Sequence, residues 1–127
     1  MQVLDANQVR TLLSETADDR LGALYLLASF TGVRQGELFA LKWTDIDLDL
    51  GVIHIRRTLR WGNRDFEFDS PKTAKSERSV AISAKAVTAL RKHRSMQSTE
   101  AIRLGPSWND LELAFTDRAG GPLRPQN

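Results

Sequence analysis

Apolar residues in the first third of the chain recur at helical spacing and predict two helices in succession. Asp5 with Gln8 forms a capping box that opens the first helix, which is expected to end near Thr16. The segment 21–30 is apolar on almost every side, so the second helix is predicted to be the most buried element. Gly32 suits the left-handed position that closes such a helix.

The hydrophobic pattern then changes from helical to strand-like. A short third helix is predicted from about Gln35 to Lys42, followed by a possible short strand at 46–48. Alternating apolar and polar residues predict one strand over 52–61, a second around 66–68 and a third over 78–83. Because short turns join these strands, we expect a small three-stranded antiparallel sheet.

A fourth helix is predicted after the sheet. Ser83 is its expected N-cap, and the helical signal weakens after about Ser95. Further on, 113–115 is typical of a short extended piece and 119–122 of a turn. The predicted fold class is therefore α+β, with helices first, then a small antiparallel sheet and a further helix.

Length and composition narrow the possible functions. A chain of 127 residues suits one compact domain. No apolar run approaches the roughly 18 residues of a membrane-spanning helix, and the N-terminus lacks a secretory pattern, so a cytoplasmic protein is expected. The absence of cysteine excludes disulfides and thiolate chemistry, and two isolated histidines argue against a structural zinc site. Composition therefore argues against a metal site.

Charge is unevenly distributed along the chain. Residues 1–50 carry four Arg or Lys against eight Asp or Glu, residues 51–95 carry eleven against four, and residues 96–127 carry three against four. The segment charges of −4, +7 and −1 sum to the net charge of +2. A basic middle segment indicates either a localised anionic partner, most commonly a polyphosphate backbone, or a solvated face without a partner.

Arg34 is the first residue whose position local physics does not explain. It follows Gly32 at the start of the third helix, where a cation opposes the helix dipole at a cost of roughly 0.3–1 kcal/mol. Its planar guanidinium matches two oxygens of a phosphate bound there. The alternative is an exposed arginine without a function. Glu37 is favourable near a helix N-terminus for dipole reasons alone, although it could also orient Arg34.

Two segments resemble motifs of one family. The residues 31–38, Thr-Gly-Val-Arg-Gln-Gly-Glu-Leu, with 41–47, Leu-Lys-Trp-Thr-Asp-Ile-Asp, are similar to the first conserved box of tyrosine recombinases, the phage integrase family. The residues 71–80, Pro-Lys-Thr-Ala-Lys-Ser-Glu-Arg-Ser-Val, are similar to the family's hairpin between strands. The resemblance spans most of residues 3–95, in matching order and spacing.

The resemblance implies a role for each matching residue. Arg34 would bind the scissile phosphate, and Lys72 would donate a proton to the departing 5′-oxygen, with Lys75 as the alternative hairpin lysine. Glu37 would support Arg34. The expected partner is double-stranded DNA at a recombination site, with additional contacts from Arg56, Arg60, Lys75, Arg78 and the basic helix Lys85 to Arg94.

The remainder of the family's site is not found in residues 1–127. His54-x-x-Arg57 is the one literal His-x-x-Arg, but it lies in a predicted strand and precedes the hairpin. Tyr25, the one tyrosine, lies in the apolar second helix and is expected to be a core residue. We therefore expect a single partial catalytic domain over 1–127, truncated before the His-x-x-Arg box and the tyrosine nucleophile. It should be inactive by itself and should self-associate through exposed apolar surface.

Two other functions fit the same sequence. The chain could be a non-catalytic DNA-binding or regulatory module derived from a recombinase, or an interaction domain whose basic face is incidental. A stop codon directly after Asn127 favours the non-catalytic module, whereas a reading frame that continues into His-x-x-Arg and a tyrosine favours the recombinase. Failure to bind duplex DNA at any salt concentration favours the interaction domain.

Overall fold

The structure, a computed structural model, describes residues 20–70 and 77–125. The predicted first helix at 5–16 and the hairpin lysines Lys72 and Lys75 lie outside the described residues. The described helices are α1 (Gly22–Thr31), α2 (Gln35–Phe39) and α3 (Ala84–Leu104), with two 3-10 helices at Trp43–Asp45 and Gly105–Ser107. The strands are β1 (Ile46–Asp47), β2 (Val52–Ile55), β3 (Thr58–Trp61), β4 (Phe66–Asp69) and β5 (Arg78–Ala81).

The predicted α+β class with a small antiparallel sheet is confirmed. Strands β1, β2 and β5 form a three-stranded antiparallel sheet in the order β1-β2-β5, in which Ile53 lies opposite Ile46 on one side and Val80 on the other. Strands β3 and β4 pair separately as a two-stranded antiparallel ribbon. The small sheet and the ribbon both follow α1 and α2 along the chain.

The single strand predicted over 52–61 is wrong, because the structure divides it into β2 and β3. Arg56 and Arg57 interrupt it, and both place their guanidinium groups on the buried carboxylate of Asp45. A regular strand would send consecutive side chains to opposite faces, so two successive arginines meet on one carboxylate only if the strand breaks. The alternating pattern gives no sign of this break.

Helix α1 is largely buried along its length. Ala23, Leu24, Leu26 and Leu27 lie in the core, as predicted, whereas Phe30 near its end is exposed. Gly32 adopts φ 69°, which confirms the left-handed residue that ends the helix. The following helix ends at Phe39, earlier than the predicted Lys42, and the chain continues into the 3-10 helix at Trp43–Asp45.

Helix α3 is longer than the sequence predicted. Ser83 caps it as expected, because its Oγ accepts the Ala86 N–H at 3.1 Å. The helix then passes Ser95 and ends at Leu104. Its last part lacks a continuous apolar stripe, since buried polar residues contribute to the packing. His93 and Gln97 are buried there and hydrogen-bond to carbonyl groups of a later segment of the chain.

That segment is 113–116, and it is not the continuous extended piece predicted at 113–115, because the chain bends at Ala114 and Phe115 between isolated β-bridges at Leu113 and Thr116. Leu113, Ala114 and Phe115 are buried, and the Ala114 N–H donates to the Leu41 carbonyl at 2.9 Å. The predicted turn at 119–122 is present, because Asp117 N–H donates to the Gly121 carbonyl across it. Within the ranges 20–70 and 77–125, no helix combines the length and apolarity needed to cross a bilayer.

Candidate functional site

Arg34 lies at the surface between two helices. Gly32 ends α1, the neighbouring Val33 is buried, and Arg34 is the extended N-cap of α2. Its side chain is exposed and makes no hydrogen bond or ion pair with the residues of the described ranges. Because α2 has only five residues, its dipole is small, and the guanidinium itself is the main attraction for an anion here.

Glu37 connects Arg34 to the sheet. Its Oε1 accepts the backbone N–H of Arg34 at 3.3 Å, which caps α2, as expected for an acid in the first helical turn. The same carboxylate receives both terminal nitrogens of Arg78, at 3.0 and 3.1 Å. Arg78 begins β5, so this two-pronged pair fixes the start of α2 against the strand that follows the hairpin segment.

The charge state of Glu37 agrees with this geometry. Burial alone would raise the pKa of its carboxyl, but the hydrogen bonds from Arg78 and the Arg34 backbone, with both guanidinium charges, lower that pKa overall. The hydrogen bond that Arg78 donates to Glu37 also raises the pKa of Arg78. The pair is therefore ionised near neutral pH. Glu37 thus acts as a helix cap and as an ion-pair partner, and it holds the backbone of Arg34.

Gly36 sets how closely α2 approaches the ribbon. A Cβ at this position would lie 2.6 Å from Thr58 Oγ1 and 3.2 Å from the Leu59 carbonyl oxygen, both on β3. A Cβ atom at 2.6 Å would force Thr58 to shift, so glycine is the residue that allows α2 to lie this close to β3. The glycines in the Thr-Gly-Val-Arg-Gln-Gly-Glu segment thus have separate purposes, since Gly32 turns the chain and Gly36 packs the helix.

A buried ion-pair cluster lies beside this contact. Asp45 receives Arg57 Nη1 on Oδ2 at 2.5 Å, Arg56 Nε on Oδ1 at 3.3 Å, and the Lys42 backbone N–H at 3.0 Å. Arg56 continues outward to Glu77 at 3.5 Å. A buried carboxylate needs such partners to remain charged. Sequence reasoning missed Arg57, because its partner is distant in sequence and no local pattern marks it.

The arginines predicted to contact DNA differ in their exposure and in the acidic residues that pair with them. Arg56 is 48% exposed, although it is paired with Asp45 and Glu77. Arg60 is paired with two carboxylates of β4, Glu67 and Asp69, and the Arg60 Nε to Asp69 Oδ2 distance is 2.9 Å. Two neighbouring acids offset the charge of Arg60, which makes it a weaker candidate than Arg34 for an anion contact.

The hairpin segment 71–76, with Lys72 and Lys75, lies outside the described residues, so the choice between these lysines stays a prediction. The two residues that follow this segment are fixed by ion pairs, because Glu77 pairs with Arg56 and Arg78 pairs with Glu37. The Arg78–Glu37 pair leads back to α2, whose N-cap is Arg34. The chain therefore re-enters the described fold from the hairpin next to α2.

Other sequence candidates have local partners. His54 Nδ1 lies 2.7 Å from Ser79 Oγ, whereas Arg57 binds Asp45, so the two residues of the literal His-x-x-Arg serve different contacts. Tyr25 is half-buried on α1, less enclosed than the core position expected. Within the described ranges, no three His, Asp or Glu side chains gather as a metal site would require.

Comparison with known proteins decides the family. The sequence profile of the phage integrase family matches residues 2–120, nearly the whole chain. The chain belongs to the phage integrase family. The segments with Arg34 and the hairpin lysines both fall inside the matched region.

Curated relatives of this integrase-family chain are recombinases and integrases. A tyrosine recombinase XerC-like protein of Caldanaerobacter subterraneus is 32% identical over 139 aligned residues, which cover 100% of this chain and 36% of that protein. The prophage integrase IntR of Escherichia coli is 35% identical, over 90% of this chain and 25% of that protein. The chain therefore spans 36% of the length of the first relative and 25% of the length of the second.

Solved structures share the fold. The XerA recombinase crystal structure superposes with a TM-score of 0.72 at 21% identity, covering 98% of this chain and 38% of that one. The Tn1549 transposon integrase in complex with circular intermediate DNA gives a TM-score of 0.74 at 20% identity, covering 96% of this chain and 40% of that one. At identities of 20–21%, the structural similarity shows that this chain shares the fold of these two proteins.

Proposed function

We propose that this chain is the first half of a tyrosine recombinase catalytic domain, in a parent protein that cuts and rejoins DNA site-specifically in the cytoplasm. The main support is the pairing of Glu37 with both Arg34 and Arg78. Glu37 binds the backbone of Arg34, whose guanidinium is exposed and unpaired within the described ranges, and it also binds Arg78 at the start of β5. Family membership and the DNA-bound Tn1549 integrase of the same fold also favour double-stranded DNA as the partner.

The chemistry follows from the resemblance. A tyrosine of the parent protein, carried outside residues 1–127, attacks the phosphorus and forms a 3′-phosphotyrosyl bond while the 5′-oxygen leaves. Arg34 binds the non-bridging oxygens and offsets the charge that develops on them. Lys72, or Lys75 in its place, donates the proton to the leaving oxygen. The phosphotyrosyl bond conserves the bond energy for rejoining, so the reaction requires no cofactor.

Residues 1–127 alone should bind DNA without forming that covalent bond. Tyr25 is half-buried on α1, on the N-terminal side of Arg34, and it is the one tyrosine of the sequence. The described residues provide no hydrogen bond from a base to Tyr25, which an activated nucleophile would need. The chain's own contribution is then phosphate binding and the orientation of the reacting group.

The test uses the 127-residue chain and a short DNA duplex. Binding should weaken steeply with salt, and Arg34→Gln should reduce the slope of log affinity against log salt by about 1, since it removes one phosphate contact. The matched control is Arg103→Gln, because Arg103 is exposed near the far end of α3. A denaturing gel should show no protein–DNA adduct with either protein.

Two results contradict the proposal. The phosphate role of Arg34 is wrong if Arg34→Gln and Arg103→Gln have the same affinity and salt slope as the parent chain. The predicted inactivity is wrong if a denaturation-resistant adduct forms and disappears in Tyr25→Phe. A circular dichroism spectrum of each variant confirms that the fold is retained.

A further inference from the structure

An open pocket with a volume of about 410 Å³ lies between α3, the 3-10 helix at Trp43–Asp45 and the segment 108–120. Two indole rings, those of Trp43 and Trp108, line this pocket. None of these three parts of the chain carries Arg34, so the pocket is separate from the candidate site. Its volume is in the range of sites that bind small ligands. We call it the tryptophan pocket.

Contacts within the protein order both indole rings. The Trp43 Nε1–H donates to Gln97 Oε1 at 2.7 Å. The Trp108 ring packs directly on Gly120, where an added Cβ would lie 2.7 Å from the ring atom Cε2, so the contact depends on glycine. Rings that are already ordered lose little conformational freedom when a ligand stacks on them.

The buried polar side chains that line the pocket already have partners. Gln97 Nε2 donates to the Leu113 carbonyl at 3.0 Å, and the same nitrogen lies 3.3 Å from Thr116 Oγ1. Both Gln97 and Thr116 are buried. A ligand would therefore be recognised by the indole rings and by groups at the rim, because the polar groups of this buried part are engaged within the protein.

Two carboxylates at the rim are exposed and unpaired. Asp110 and Glu112 line the pocket, and within the ranges 20–70 and 77–125 neither side chain forms a hydrogen bond or an ion pair. Glu112 has a φ of 61°, a left-handed conformation that strains a glutamate. Its carbonyl accepts the Trp43 N–H at 2.9 Å, which holds this residue beside the pocket.

Arg94 already places a cation on one of the rings. Its guanidinium lies over the Trp43 ring, 5.1 Å from the ring centroid. With Arg94 against Asp110 and Glu112, the lining of the pocket has a formal net charge of −1. Aromatic faces combined with excess negative charge attract a cation and repel a phosphate backbone. This part of the surface thus differs in charge from the surroundings expected of a DNA contact.

We propose that the tryptophan pocket binds an arginine side chain of a partner protein. A planar guanidinium can stack on an indole ring and pair with a carboxylate at the same time. Among the described residues, no cation lies over the Trp108 ring, so this ring is available for stacking. The pocket is open to solvent, so a side chain can enter it while the main chain of the partner stays outside.

The test is an NMR titration of the 127-residue chain with the blocked peptide Gly-Ala-Arg-Ala-Gly. The chain has three tryptophans, so the indole N–H signals of Trp43 and Trp108 report on the pocket, and that of Trp61 reports on the β3–β4 ribbon. The first two signals should shift in a saturable manner while the Trp61 signal stays. The same peptide with citrulline, which is similar in shape but uncharged, should bind several-fold more weakly.

Three substitutions and a control locate the binding. Asp110→Asn and Glu112→Gln should each weaken the peptide several-fold at about 0.15 M salt, since distant charges are screened there. Arg94→Gln should strengthen binding, because it uncovers a ring and removes a competing cation. The matched control is Asp65→Asn, since Asp65 is an exposed acid whose Oδ1 accepts the Phe66 N–H, as asparagine also can. It should bind the peptide like the parent chain.

Several results would overturn the proposal. Equal binding of the arginine and citrulline peptides excludes a cation as the ligand, and equal losses in Asp110→Asn and Asp65→Asn show general charge attraction without a site. Spermidine that shifts both signals at lower concentrations than the peptide assigns the pocket to a small amine. Shifts that depend only on the concentration of the chain assign it to a second copy. Because duplex DNA takes no part in this titration, its outcome is independent of the phosphate role of Arg34.

Discussion

At the scale of single residues, Glu37 shows how one carboxylate serves two purposes. It satisfies the free N–H of Arg34 and binds the guanidinium of Arg78. A lysine in place of Arg78 could not donate two parallel hydrogen bonds to this carboxylate. The position of Arg34 thus depends on a residue that is distant in sequence and is linked to it through Glu37.

The contact at Gly36 gives a prediction about stability. Gly36→Ala should lower the free energy of unfolding by about 1–3 kcal/mol, since the added methyl overlaps Thr58 Oγ1 and crowds the Leu59 carbonyl, as overpacking does. Alanine's better helix propensity, worth about 1 kcal/mol, offsets part of this loss. Urea unfolding measures the difference.

The control for that prediction is a double-mutant cycle. Thr58→Ala removes the nearest atom, so the double variant should recover part of the stability that Gly36→Ala loses. A Gly36→Ala chain as stable as the parent would mean that α2 does not pack on β3 at the described distance.

At the scale of elements, α3 is held to the segment 113–116 by buried polar groups. His93 Nε2 lies 2.6 Å from the Ala114 carbonyl oxygen, and because a carbonyl only accepts, this nitrogen carries the hydrogen. Gln97 donates to the Leu113 carbonyl and accepts the Trp43 Nε1–H at 2.7 Å. These hydrogen bonds join α3, the 3-10 helix at Trp43–Asp45 and the segment 113–116.

This junction predicts that the chain loses stability in mild acid. Burial lowers the pKa of His93 below its ordinary 6.5, and the nearby Arg20 charge lowers it further, while the Ala114 hydrogen bond and Glu100 act in the opposite direction. The unfolded chain therefore binds a proton more readily than the folded one. The stabilisation is present above pH 6.5 and is lost as pH falls below that value.

The measurement is the free energy of unfolding in urea at several pH values between about 5 and 8. The parent chain should lose on the order of 1 kcal/mol relative to His93→Gln over that range, because glutamine keeps an N–H donor but does not titrate. Parallel stability curves for the two proteins would show that His93 does not cause the acid sensitivity.

The elements also show which features the sequence could predict. Gly32 and Ser83 were predicted correctly because a helix end depends on nearby residues alone. The break at Arg56 and Arg57 depends on Asp45, and the burial of His93 and Gln97 depends on segment 113–116. Such contacts between distant residues leave no local periodicity. Of the predicted site, the surroundings of Arg34 and Glu37 are described, whereas the roles of all site residues stay predictions.

At the scale of the whole molecule, uncovered apolar side chains predict self-association. Phe30 on α1 is 64% exposed and Ile102 on α3 is 82% exposed, although both are large and apolar. In a longer protein such side chains would pack against further elements. The 127-residue chain should therefore show an apparent mass that increases with concentration in sedimentation experiments.

Phe30→Ser and Ile102→Ser should each reduce this association, because they remove exposed apolar surface without opening the core. Leu27→Ser is unsuitable as a control, since Leu27 is fully buried. Thr99→Ser serves better, because Thr99 is an exposed polar residue on α3 and its replacement removes little apolar surface. A chain that remains monomeric at all accessible concentrations contradicts the prediction.

The separation of the β3–β4 ribbon from the sheet has a consequence for changes in chain length. The ribbon shares no strand with β1, β2 and β5, and the chain links it to them at 56–57 and 70–77. Residues inserted at its tip, around 62–65, would lengthen the ribbon while Ile53 stays opposite Val80. Loop grafting at this tip could thus change the reach of the ribbon and leave the scaffold around Arg34 intact.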